Sequence, residues 1–128
     1  MGRTQIIGHA GEQAASKWLR DNGFELLAHN WRNGPYELDI VARRGDTLHF
    51  VEVKTRDTAS WESPEDAMTA AKRRSFTRAA EAWLAENPTD LECQLDLIAI
   101  DNQQNNKDND QDNSLIIRYI PEAVLPRW

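Results

Sequence analysis

Apolar positions recur along this chain with two different periods. Over residues 8–22, Ala14, Ala15, Trp18 and Leu19 fall on one stripe at helical spacing, and Asn22-Gly23 supplies a stop signal, so the pattern predicts a helix. Residues 24–31 alternate instead. Phe24, Leu26 and Ala28 lie on one face and Leu27, His29 and Trp31 on the other, as in a strand, before the turn signal Asn33-Gly34-Pro35. A second strand over 36–42 sets Leu38, Ile40 and Ala42 against Glu37 and Asp39. The turn at Arg43-Arg44-Gly45-Asp46 then leads into a third strand over 48–56, which pairs with the second as a hairpin.

Ser63-Pro64-Glu65-Asp66 combines a capping residue, a proline suited to the first helical position and two acids matched to the helix dipole. A second helix is expected from there to Glu86, ended by Asn87-Pro88, with Ala67, Ala71, Phe76, Ala79, Ala80, Trp83 and Leu84 on its buried side. Two more strands follow, over 94–100 with Asp96 as an interruption, and over 114–120 with Pro121 closing it. The stretch 101–113 between them is wholly polar, rich in Asn and Gln, and reads as a mobile hairpin insertion. The order αβββαββ describes one mixed α/β domain over residues 1–128, with a central mixed sheet flanked by helices.

The third strand breaks the simple pattern. Glu52, Lys54 and Arg56 share one face, with Val51 and Val53 on the other. A central strand does not turn ionisable groups inward without compensation, because an unpaired buried charge is costly. That face is therefore either solvated or part of a site.

Composition narrows the choice. The 128 residues suffice for one core, and 40% hydrophobic with 28% charged residues is ordinary for a soluble domain. No apolar run reaches the roughly 18–20 residues that span a bilayer, and the N-terminus lacks the apolar centre of a signal peptide, so a cytoplasmic bacterial-type protein is expected. The lone Cys93 offers neither a disulfide nor a CxxC metal motif. A net charge of −6 argues against nonspecific coating of nucleic acid. Half of that excess sits in residues 101–113, however, while Lys72, Arg73, Arg74 and Arg78 cluster within two turns of the second helix, as a solvated face or a nucleic-acid contact.

The hairpin brings Asp39 near Glu52, and Glu12 borders the buried stripe of the first helix. Like-charged carboxylates repel unless a proton or a cation neutralises them. A hard divalent ion such as Mg²⁺ favours one or two carboxylates, several waters and a phosphate oxygen. Lys54 on the same face as Glu52 would stand beside that ion. Metal and lysine together suit phosphodiester hydrolysis, since bound metal lowers the pKa of its water and offsets phosphate charge.

Asp39 followed by Glu52-Val53-Lys54 resembles the D-(x)n-E-x-K signature of the PD-(D/E)xK nucleases. The wider series is more specific. Gly8-x-x-Gly11-Glu12-x-Ala14-Ala15, Leu19-x-x-x-Gly23-Phe24, Asn30-Trp31-Arg32, Glu37-Leu38-Asp39 and Phe50-Val51-Glu52-Val53-Lys54-Thr55-Arg56 resemble the small bacterial YraN-like family, regarded as endonuclease-like and similar to archaeal Holliday-junction resolvases. The resemblance implies a restriction-endonuclease-like αβββαβ core and a Mg²⁺ or Mn²⁺ site formed by Asp39, Glu52, the Val53 carbonyl and Glu12. It also implies Lys54 as catalytic lysine, Arg32 and Arg56 as phosphate contacts, DNA as partner, and a homodimer if two cuts are needed. Two departures are visible: Tyr36 stands where the family usually has glycine, and the acidic tract after Asp101 is unusually long.

Simpler roles compete at each position. Lys54 can serve as a structural ion-pair partner of Glu52 or Asp39, and Asp96 is better placed to pair within the sheet than to catalyse. His49, sharing its face with Val51 and Val53, reads as a core or sheet histidine, and His9 and His29 lack metal-site spacing. The alternative function is a non-catalytic module that keeps the nuclease fold and binds nucleic acid or protein.

Overall fold

A computed structural model describes residues 3–57, 68–104 and 113–125, with side chains from residue 10 onward apart from those at the edges of these segments. Helix α1 spans Arg3–Asp21 and is followed by strands β1 (Glu25–Asn33), β2 (Tyr36–Arg44) and β3 (Thr47–Asp57). Helix α2 (Ala70–Glu86) leads to β4 (Glu92–Gln104) and β5 (Asn113–Val124). The five strands form one mixed sheet in the order β1-β2-β3-β4-β5. Only β3 and β4 are parallel, as the α2 crossover between them requires. This is the restriction-endonuclease-like arrangement, and β3 is its central strand.

Each helix covers one face, because side chains along a strand alternate. Phe50, Leu95 and Leu97 pack with Phe76, Ala79, Ala80 and Trp83 of α2. Val51, Ile98 and Ile100 pack with Ala15 and Leu19 of α1. Helix α1 ends in a Schellman motif: the N–H of Gly23 donates to Arg20 O, that of Phe24 donates to Leu19 O, and Gly23 sits at φ 84°. Phe24 is thereby turned into the core.

The structure revises several expectations. Helix α2 does not run unbroken from Ser63. Thr69 is extended (φ −63°, ψ 164°), and its hydroxyl accepts the Lys72 N–H as the N-cap. The Ser63-Pro64-Glu65-Asp66 signal and Ala67 lie outside the described residues, and Ala71 is exposed on the first turn. In β1 a bulge between Leu26 and Ala28 breaks the alternation, so Leu26 packs on the α1 side, Ala28 and Trp31 on the α2 side, and Leu27 is left exposed. Leu38 likewise joins the α2 side, while Ile40 and Ala42 face α1.

The last two strands reach into the polar tract. β4 continues to Gln104 opposite Asn113, and Asp101 is buried; residues 105–112 lie outside the described set. Pro121 does not end β5 either. An edge strand tolerates a residue without an N–H, and β5 continues to Val124 past Glu122 at φ 53°.

Candidate functional site

Four side chains from four elements meet where the β2–β3 ladder gives out. Their Cα pairing runs from Arg44↔Thr47 to Ile40↔Val51 and stops. Beyond it the Asp39 carboxylate receives the Val53 N–H at 2.8 Å. Glu52, 6% exposed, accepts an ion pair from Lys72 at the start of α2, Nζ to Oε1 2.9 Å. Glu12 reaches the same place from α1 and lines a cavity of about 230 Å³ with Asp39, Asn30, Trp31, Arg32, Glu37 and Leu38.

Gly11 explains how α1 comes so close. A Cβ built on it would run into the Thr55 side chain of β3, so only glycine lets the helix rest there and hold the next residue, Glu12, over the acids.

The electrostatics follow from this crowding. Burial, reinforced by the negative charges of Glu52 and Glu12, pushes the Asp39 carboxyl up to about 7, against the pull of the Val53 N–H and the Lys72 ammonium. Burial works against the charge of Lys72. The Glu52 hydrogen bond and the charges of Glu52, Asp39 and Glu37 outweigh it and hold the ammonium above the ordinary lysine range. The site therefore has more negative charge than its one lysine neutralises. Asp39 and Glu52 form a donor set suited to a hard divalent ion that keeps most of its waters. Among the described residues no three of His, Cys, Asp and Glu stand in ligating geometry for a metal, so Glu12 does not complete a three-acid shell as the atoms stand.

Asp39, Glu52 and Glu12 do converge. Lys54 does not join them: it is half-buried, with no ion pair to Glu52 or Asp39. The ammonium in contact is Lys72, expected on the open cationic face. Its spacing held the clue, for Lys72, Phe76, Ala79 and Trp83 follow i, i+4, i+7, i+11, which places the lysine on the buried stripe. Arg56 is also drawn inward, Nε to Asp101 Oδ1 2.8 Å, with Arg118 on the other carboxylate oxygen at 3.5 Å. That guanidinium is thus engaged with a buried carboxylate. Arg32 pairs with Glu37 at 3.3 Å on an exposed rim beside the cavity, where screening leaves such a pair weak. Arg73, Arg74 and Arg78 remain on the outer side of α2, where Arg73 Nε donates to Met68 O.

Asp96 is structural, as expected. Wholly buried, it accepts from Tyr119 Oη (2.7 Å), Gln94 Nε2 (2.9 Å) and Glu122 N (2.9 Å), with His49 Nδ1 at 2.7 Å. Burial disfavours its charge, but these four partners together hold its carboxyl below the usual carboxylate range. His49 is accordingly a core histidine.

Comparison with known proteins finds one family. The sequence profile of "Uncharacterised protein family UPF0102" matches residues 11–100. A UPF0102 protein of Bacteroides thetaiotaomicron is 37% identical over 126 residues, 98% of each chain. Another, of Nitratidesulfovibrio vulgaris, is 46% identical over 94 residues, 73% of this chain and 70% of that protein. A third, of Oleidesulfovibrio alaskensis, is 46% identical over 94 residues, and the chain spans only 46% of its length.

Proposed function

The chain belongs to the UPF0102 family, and from that premise we propose that it is a divalent-metal-dependent nuclease-like protein hydrolysing DNA phosphodiesters, branched DNA among them. One observation carries the reading: two carboxylates, the buried Glu52 and the half-buried Asp39, share a break in the sheet ladder with Glu12 close by, and burial together with the charge of Glu52 raises Asp39 to about 7. Such an arrangement is costly for a purely structural surface and suits a cation-binding one.

Asp39 and Glu52 would hold Mg²⁺ or Mn²⁺, with the Val53 carbonyl as a further oxygen. When bound, that ion would supply charge stabilisation at the phosphate and a more acidic water. The protein's own contribution is orientation. The Val53 N–H fixes Asp39 Oδ2, Lys72 fixes Glu52 Oε1, and Glu12 adds negative charge from α1. Lys54, one pleat beyond Glu52, would hold or pass a proton once substrate draws it in. A homodimer would give two such sites for paired cuts.

The test is cleavage of linear and four-way DNA with Mg²⁺ or Mn²⁺ by wild type and by Asp39→Asn, Glu52→Gln and Lys54→Ala. The expected result is metal-dependent cutting that falls about 10²-fold or more in each variant. Absence of cutting by wild type, or full activity in the variants, would refute the catalytic reading. The second reading, a binding module that retains the fold, is favoured by the Lys72–Glu52 ion pair, which neutralises one acid without metal. It requires salt-dependent DNA binding that survives loss of Asp39 or Glu52.

A further inference from the structure

Away from the acid site, a trough of about 730 Å³ lies between the outer side of α2 and the end of β5. Arg73, Glu122 and Ala123 also line a smaller hollow of about 360 Å³ that reaches Leu97, so the two adjoin and are taken together as one channel. Leu97 is the β4 partner of Glu52. The backbone of Leu97 is thus one strand spacing, about 5 Å, from that of Glu52.

The channel has two kinds of wall. The helix side presents Arg73, Arg74 and Arg78, and the latter two make no ion pair among the described residues. The sheet side is apolar: Ile120, Pro121, Ala123 and Leu125, the last 71% exposed, form its surface, with Leu97 and Val124 buried behind them. Glu81 and Glu122 also line it, Glu122 where the two hollows meet, fewer than the arginines. A duplex turns phosphate and sugar outward and would leave the apolar wall unused. An unpaired strand offers phosphates to one side and base faces to the other.

We propose that this channel receives a single-stranded DNA extension continuous with the strand at the acid pair, so that the preferred substrate is a duplex with an unpaired tail or flap. The proposal rests on the nuclease-like reading of Asp39 and Glu52 and gives it a substrate class.

Binding without divalent ions separates the two claims. Fluorescence anisotropy in EDTA would compare an oligothymidylate, a blunt duplex and the same duplex with an unpaired tail, using wild type, Arg74→Ala/Arg78→Ala and Leu125→Glu. All three positions are exposed, so unchanged thermal melting serves as the folding control. Wild type is expected to bind the tailed duplex about tenfold or more tighter than the blunt one. The double arginine variant loses that preference, and its salt slope falls by about 1.4, two phosphates at roughly 0.7 each. Leu125→Glu weakens oligothymidylate binding and leaves the blunt duplex unaffected.

Equal affinity for blunt and tailed duplexes, wild-type binding by the variants, or equal competition by a polyglutamate peptide would overturn the proposal. Lack of cleavage in Mn²⁺ bears on the acid pair alone.

Discussion

Asp39 is the residue on which the site's energetics turn. Its carboxyl titrates near 3.8 in a model peptide and near 7 in the fold. Well below pH 3.8 it is protonated both folded and unfolded, and stability is unaffected. As pH rises toward 7 the unfolded chain releases the proton first, so the folded state loses stability across that window and the loss is constant above it. Asp39→Asn, which keeps an acceptor for the Val53 N–H, should therefore stabilise the metal-free protein at pH 8 by about 2–4 kcal/mol and have almost no effect at pH 3.5. Denaturant midpoints at the two pH values check this. Lys72 should show the opposite effect. Lys72→Met strands Glu52 without its cation and should cost about 1–3 kcal/mol at neutral pH, whereas Lys54→Met, lacking that contact, should cost less than about 0.5 kcal/mol.

At the scale of elements, two contacts set the frame of the site. Gly11 brings α1 against Thr55, so Gly11→Ala should push the helix away at a cost of about 1–3 kcal/mol, and Thr55→Ala should recover part of the loss in a double-mutant cycle. Purely additive costs would show that the two positions do not meet. Nearer the start of β3, Asp96 ties His49 to Tyr119 and Glu122 of β5 where the β4–β5 register shifts between Leu95 and Leu97. Asp96→Ala should cost about 3–5 kcal/mol by leaving buried donors unpaired, read as a lowered unfolding midpoint.

These same contacts mark where sequence reading succeeds and fails. Periodicity suffices for α1, the β2–β3 hairpin and the assignment of Asp96 and His49 to the interior. It misses the β1 bulge, because an extra residue shifts the faces without any local sign. It also leaves Lys72 in an open cationic cluster and Arg56 on a strand face that is either solvated or part of a site. Only the partners brought by the fold, Glu52 and Asp101, turn them inward. Glycine 11 appears in the sequence as part of a motif, but its reason lies across the molecule at Thr55.

For the whole molecule, the net charge of −6 conceals a division of surfaces. The acid pair lies at the end of the β2–β3 ladder, while Arg73, Arg74 and Arg78 line a channel that reaches Leu97 of β4. No helix among the described residues is long and apolar enough to cross a membrane. A protein so divided should bind DNA with a marked salt dependence despite its acidity, and binding should weaken as the α2 arginines are removed. Electrophoretic shifts over a salt series check this independently of any cleavage.

The claim beneath all of this is that Asp39 and Glu52 are held together for a divalent cation. Calorimetric titration of Mn²⁺ into wild type, Asp39→Asn and Glu52→Gln at pH 7.5 tests it most directly. The expected result is one site per chain in wild type, with proton release as Asp39 ionises, weakened at least tenfold in either variant. Wild type that binds no Mn²⁺, or variants that bind it as tightly, would contradict the account.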